Sequence, residues 1–226
     1  MAKRAYHHGN LRAALIKAGL RAIADAGPDG FTLRDVARRV GVSAPAVYRH
    51  FRDKEDLLVA IAAECNERLG AMMVEAVANA PADPLERFRA TGIAYVRFAV
   101  AHPEHFRALS VPGLLERTPP EQRASEEQWH ASERRALEDA QAAGLIAPLP
   151  LDELLLSAHA LMHGLAHTII EGRLGDVDDA RATELAIAVT RAIGVGFVPR
   201  TDEVRDPRTD VAVKPRANPK SAWRKR

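Results

Sequence analysis

From Leu11 to Val195 the apolar residues recur at steps of three and four, and Gly or Pro cuts nearly every run. That spacing lays one apolar stripe along a helix, whereas a half-buried strand needs alternation at every second residue. No stretch alternates in that way and no segment repeats, so the chain is expected to be all-α. Leu11, Leu15, Leu20 and Ile23 share one face of a first helix, with Asn10 as its cap and Gly27-Pro28 as its stop. Thr32 caps a short helix over 33–40, and Gly41 supplies the backbone freedom for a sharp turn. Ser43 caps the next helix, expected to run to about Phe51, with Pro45 in its first turn where a missing N–H costs nothing. Longer helices are expected over about 53–80, 84–102, 103–109, 120–144, 151–173 and 178–195, each bounded by Pro, Gly or an acidic first turn. Residues 199–226 carry four prolines and few apolar side chains, and are read as a flexible basic tail.

Composition excludes several classes. Hydrophobic residues make up 47% of the 226 and charged residues 27%, enough apolar material for a real core. No apolar run approaches a membrane span, and the first ten residues lack the apolar centre of a secretory signal. The single cysteine, Cys65, can make neither an internal disulfide nor a multi-cysteine metal site. The chain is therefore expected to be soluble and cytoplasmic. No Gly-x-Ser-x-Gly elbow, phosphate-binding glycine loop or paired-carboxylate arrangement points to catalysis, so no catalytic residue is assigned.

Charge is unevenly distributed. Residues 1–58 hold 11 Lys and Arg against 6 Asp and Glu, a net of +5. Residues 59–198 hold 12 against 20, a net of −8, and residues 199–226 hold 9 against 4, a net of +5. A basic head on an acidic body suits a head that meets a polyanion. The helix, Gly-containing turn and second helix over 33–51 form the pattern by which such a head enters a DNA major groove. On the second helix Arg49 can pair bidentately with a guanine edge, with His50 exposed beside it. Ala44, Pro45 and Ala46 offer apolar contact to a thymine methyl. Thr32, Ser43, Tyr48 and Lys54 can reach phosphates. Val47 and Phe51 have the spacing to face inward. Taken singly, Thr32 and Ser43 read equally well as plain helix caps.

Taken together, Thr32-Leu-Arg-Asp-Val-Ala37, Gly41-Val-Ser43, Val47-Tyr48-Arg-His50-Phe51, Lys54 and Leu57-Leu58 resemble the DNA-binding domain of tetracycline-repressor-type (TetR family) regulators. Tyr6-His-His-Gly-Asn-Leu11 resembles one branch of that family, whose Trp-His-Gly motif here reads Met162-His163-Gly164. The resemblance implies a homodimer on a palindromic double-stranded DNA operator, released by a small-molecule effector that enters the C-terminal domain. It also carries DNA contacts onto Thr32, Ser43, Ala44, Pro45, Tyr48, Arg49, His50 and Lys54. The domains are then 1–52 for DNA binding, 53–198 for ligand binding and dimerisation, and 199–226 for the tail.

One head covers half an operator, so two-fold pairing is expected. Leu154, Leu161, Leu165 and Ile169 on one late helix, and Ile187 on the last, are the residues assigned to the interface. The same stripes can equally face their own core. For a ligand pocket, Phe88, Tyr95, Phe98 and Trp129 supply aromatic walls, with plain core as the competing reading. His159, His163 and His167 stand at i, i+4 and i+8, a slanted stripe advancing about 40° per step. Adjacent pairs suit a chelated metal, which makes a metal-sensing regulator the second functional reading. The outer two lie about 12 Å apart along the axis, so one ion cannot hold all three. Polar pocket lining is preferred, and neither a cofactor nor a metal is assigned.

Overall fold

The computed structural model describes residues 8–109, 111 and 117–197. Among them the elements are α1 (His8–Ala26), α2 (Leu33–Val40), α3 (Ala44–Tyr48), α4 (Lys54–Asn79), α5 (Pro84–Ala101), α6 (Pro103–Leu109), α7 (Pro120–Ala142), α8 (Leu151–Ile170) and α9 (Asp179–Phe197), with no strand. The expected tail over 199–226 and the Tyr6-His7 part of the opening motif lie outside the described residues.

Local chemistry accounts for most helix ends. Thr32 accepts from the Asp35 amide at 3.3 Å, while the Asp35 carboxylate accepts from the Thr32 amide at 3.0 Å, a reciprocal capping box. Gly41 closes α2 at φ 77°, a left-handed conformation that glycine adopts without strain. The side chains of Asp53 and Asp83 cap α4 and α5 by accepting from the Asp56 and Glu86 amides at 2.8 and 2.9 Å.

Four boundaries differ from the sequence reading. α1 begins at His8, so Asn10 lies inside it and does not cap it. Ser43 sits at the N-cap of α3 with extended backbone, but its side chain makes no capping bond. α3 ends at Tyr48 rather than near Phe51, because the His50 amide turns back tightly onto the Val47 carbonyl at 2.8 Å. α8 stops at Ile170, before a left-handed Gly172 at φ 72°.

α4 joins head to body. Its Leu57, Leu58 and Ile61 are buried with Leu15, Ile23, Val36, Val47 and Phe51 of the head, and its Leu69 and Met73 continue the same cluster into the body with Phe98 and Phe106. α1 approaches it closely at Gly19, where a Cβ would stand 2.9 Å from Ile61 Cδ1. α6 packs on both α1 and α4, and α5 is surrounded by α4, α7, α8 and α9. A second cluster joins Val96 to Met162, Ile169, Ala182 and Ala186. A third joins Leu137, Ala140, Ile146 and Leu154, with Phe88 and Leu155 against it.

Two substitutions test this packing. Phe98 is fully buried, so Phe98→Ala is expected to lower the unfolding free energy by about 3–5 kcal/mol in a urea titration. Thr32→Ala should cost about 1 kcal/mol through the lost cap, and Thr32→Ser clearly less. The Thr32 hydroxyl and amide hold the Asp35 carboxyl below its ordinary value. A carboxyl so depressed stabilises the fold above the ordinary range, and the benefit is lost as pH falls through the lowered value. NMR titration should therefore show the Asp35 carboxyl rising in Thr32→Ala, and that variant should lose less stability on acidification than the parent.

Candidate functional site

The head presents α3 outward. Tyr48 is 50% exposed, Ser43, Pro45 and Arg49 are exposed, and Ala44 and His50 are half-buried. Ala46 is buried with Val47 against the head core, which corrects its assignment as a contact to a base. Thr32 is exposed, but its hydroxyl donates to the Asp35 carboxylate at 2.7 Å, so the proton a phosphate would need is already engaged. Lys54 is half-buried. Its ammonium lies 5.6 Å from the Phe31 ring centre and 3.9 Å from Asp29, at the side of an open groove also lined by Thr32, Tyr48 and Arg52.

Three head arginines around α2 and α3 are neutralised locally. Arg38 pairs with Asp35, Arg39 with Asp25 and Arg52 with Asp56, each at 2.7 Å. Arg34 and Arg49 are exposed and make no ion pair among the described residues. Arg34 went unassigned in the sequence. Its position one residue inside the α2 N-terminus, beside a face that turns toward α3, is the signal that would have found it.

The body contains two separate polar groups. In the first, Tyr95 Oη lies 2.8 Å from His163 Nδ1, and the Phe106 ring stacks 5.5 Å from His163 and 5.2 Å from His167. Burial pushes the Tyr95 hydroxyl up to about 12, so it stays protonated. Burial, and then the neighbouring His167, lowers the His163 imidazole and favours its neutral form, whose tautomer sets which of the two groups donates. In the second group, His159 Nε2 lies 3.0 Å from Glu133 on α7, and His130 Nδ1 lies 3.3 Å from the same oxygen. Burial would raise the Glu133 carboxyl, but the hydrogen bonds and charges of His130 and His159 outweigh it and hold it at about 2.

The histidine stripe is therefore divided. His163 and His167 have rings 4.5 Å apart and face α5 and α6, while His159 faces α7. This corrects the reading of three histidines on one metal-binding face: the slant of the stripe carries each end to a different neighbouring helix. Glu133 and His130 were not singled out in the sequence, although His130-x-x-Glu133 places both on one side of a helix.

The aromatic residues do not share a cavity either. Phe98 is fully buried in the main cluster, Trp129 packs against that cluster, and Phe88 belongs with Leu137 and Leu154. Phe98 is core and not pocket wall. Of the residues assigned to a pocket, only His159 lines the open groove of about 480 Å³ on the body, with Glu127, His130, Ala131, Arg134 and Leu155.

On α8, Leu156 is 70% and Leu161 46% exposed, on sides about 140° apart, and Leu165 and α9 Ile187 are half-buried. Leu154 and Ile169 are buried in their own subunit's clusters and leave the set of interface candidates. Ile193 has no described side-chain environment. Head and body are also tied by Arg117, which lies 2.9 Å from Asp53 and 3.7 Å from both Glu55 and Asp56 at the start of α4.

Comparison with known proteins matches residues 15–61 to the family of bacterial regulatory proteins of the tetR type, and residues 88–193 to a tetracyclin repressor-like C-terminal domain. The tetracycline repressor protein class A from transposon 1721 of Escherichia coli is 48% identical over 48 residues, which is 21% of this chain and 22% of that protein. The transcriptional regulator BetI of Burkholderia ambifaria is 40% identical over 79 residues, 35% of this chain and 41% of that one. The matched stretches thus span under half the length of these curated relatives. A solved structure of a protein of unknown function from Rhodococcus sp. RHA1 is 33% identical with a TM-score of 0.67, covering 87% of this chain and all 100% of the other. A tetR-family regulatory protein from Rhodococcus RHA1, 22% identical with a TM-score of 0.62 and covering 81% and 96%, shares the fold. Among the described residues no helix is long and apolar enough to cross a membrane. With the helix-turn-helix head and the helical body each matched, the chain belongs to the TetR family of transcriptional regulators, which are DNA-binding proteins and not enzymes.

Proposed function

We propose that the protein is a cytoplasmic homodimeric repressor that binds a palindromic operator and leaves it when a small molecule binds the body. The observation that carries this reading is the outer surface of the head. Arg34 on α2 and Arg49 at the C-cap of α3 stand exposed and without an ion pair among the described residues, beside the exposed Tyr48 ring. Their neighbours Arg38, Arg39 and Arg52 are already paired with acids. A head of net +5 joined to a body of net −8 orients that surface toward DNA and turns the body away.

The contacts divide by kind. Arg49 reads a base edge, with His50 next to it; Arg34, Ser43, Tyr48 and Lys54 meet phosphate, and Ala44 and Pro45 pack along the groove wall. Thr32 positions the reading unit as the cap of α2. Two such heads on a two-fold axis need a self-complementary surface, and the exposed Leu161, with the half-buried Leu165 one turn on and Ile187 of α9, supports one of apolar character. The effector is placed against Tyr95, His163 and His167, where a hydroxyl and two imidazoles meet between α5, α6 and α8. α6 lies against α1 and α4, so displacing it would shift the head.

Selection of bound duplexes from a random pool should return a two-fold symmetric sequence; recovery of no preferred sequence would overturn the reading. On that DNA, Arg49→Ala is expected to cost about 1–3 kcal/mol and to relax preference at one position in each half-site. Lys54→Ala should weaken all sequences alike and flatten log K against log salt by about 0.9 per lost phosphate contact. An Arg49→Ala variant with unchanged affinity and preference would refute the placement of α3.

The interface has its own test. Leu161→Glu should give a folded monomer in analytical ultracentrifugation, since that side chain is exposed within one subunit. Persistence of the dimer would move the interface elsewhere.

A further inference from the structure

We propose that His130, Glu133 and His159 form a binding site for one divalent transition-metal ion of the zinc type, held between α7 and α8. His130 and Glu133 stand three residues apart on α7, and His159 reaches across from α8. His130 Nδ1 and His159 Nε2 lie 3.3 and 3.0 Å from Glu133 Oε2, and the three ligand atoms all fall within 4.8 Å of one another. A tetrahedral ion with bonds of about 2.0–2.1 Å separates its ligands by about 3.3 Å. The side chains are therefore already spaced for an ion, and only small rotations are needed to admit it.

The carboxylate is the telling member. Glu133 is only 6% exposed, and no Lys or Arg pairs with it among the described residues. Arg134, next in sequence, is engaged by Asp152 instead. A buried carboxylate needs a cation: protonated His130 and His159 supply one, and when both imidazoles are neutral they become ligands to a bound ion that does. The other Glu133 oxygen lies 3.3 Å from Thr91 Oγ1, a weaker contact because the hydroxyl also donates to the Phe88 carbonyl at 2.7 Å. Two nitrogens and one oxygen favour zinc, nickel or cobalt over magnesium or calcium.

The site is also reachable. The His130 and His159 side chains are 52% and 45% exposed and form the wall of the open groove with Glu127, Arg134 and Leu155. Three protein ligands then leave a fourth position open to the groove. The ion would join α7 to α8 at a point where the third cluster lies beneath, between Leu137 and Leu154. His163 and His167 face α5 and α6 instead and take no part.

The test uses full-length protein without an affinity tag, stripped with a chelator and kept free of DNA, so its outcome is independent of operator binding. Titration with Co²⁺ should saturate at one ion per chain and give the intense visible bands of a low-coordinate site, lost on addition of Zn²⁺. His130→Ala and His159→Ala should each weaken Zn²⁺ binding by about 100-fold or more, with helix content unchanged by circular dichroism. Because His130 lies at the surface, its variant remains informative even if Glu133→Gln fails to fold. His163→Ala and His102→Ala should bind as the parent does. Absence of saturable binding at micromolar metal would overturn the proposal, as would loss of binding in His163→Ala equal to that in His159→Ala.

Discussion

The burial of α4 is the constraint on which the rest of the molecule depends. Leu57, Leu58, Ile61 and Cys65 are almost wholly buried, and residues from both ends of the chain cover them. At one end α4 completes the small head, whose two short helices could not bury enough surface alone. At the other it forms a wall of the body. A cluster continuous through one helix means that the head cannot turn without moving side chains on which α1 and α6 rest. The Arg117 contacts to Asp53, Glu55 and Asp56 lie at the same junction, near the N-terminus of α4. Ion pairs exposed to this degree contribute little stability, so their importance is geometric.

Within the head, acids decide which cations remain available. Asp25, Asp35 and Asp56 each take one arginine, so the formal charge of the segment overstates what a partner would meet. Around α2 and α3 the cations left over are Arg34 and Arg49, while Arg12, Lys17 and Arg21 stand exposed along α1. That selectivity arises from spacing on the folded surface, since Asp25 and Arg39 are fourteen positions apart in sequence and meet only through the packing of α1 on α2.

In the body, α8 serves two neighbours. Steps of four residues advance the stripe slowly around the helix, so His159 meets α7 while His163 and His167 meet α5 and α6. The two polar groups differ in character. Around His163 a protonated tyrosine and a neutral imidazole form an uncharged pair, whereas around His159 a buried carboxylate stays ionised. The first suits a small molecule with hydrogen-bonding groups, the second a cation.

Local features were legible in the sequence because local physics sets them. The Thr32 cap, the turn at Gly41, the acidic first turn of α4 and the proline breaks each depend on residues within four positions, and they located nearly all the helices. The inward spacing of Val47 and Phe51 was equally readable, as was the family, whose head motif is a compact local pattern. What tertiary structure alone decided is which side of each apolar arc meets a neighbour. Leu154 and Ile169 are core while Leu156 and Leu161 are surface, although all four belong to one apolar helix. Ala46 turned inward, Phe88 and Phe98 fell into different clusters, and Glu133 found two histidines, one of them 26 residues away. An apolar arc wider than one neighbour leaves rotation about the helix axis open, and only the packing of α5 against α4, α7, α8 and α9 fixes it.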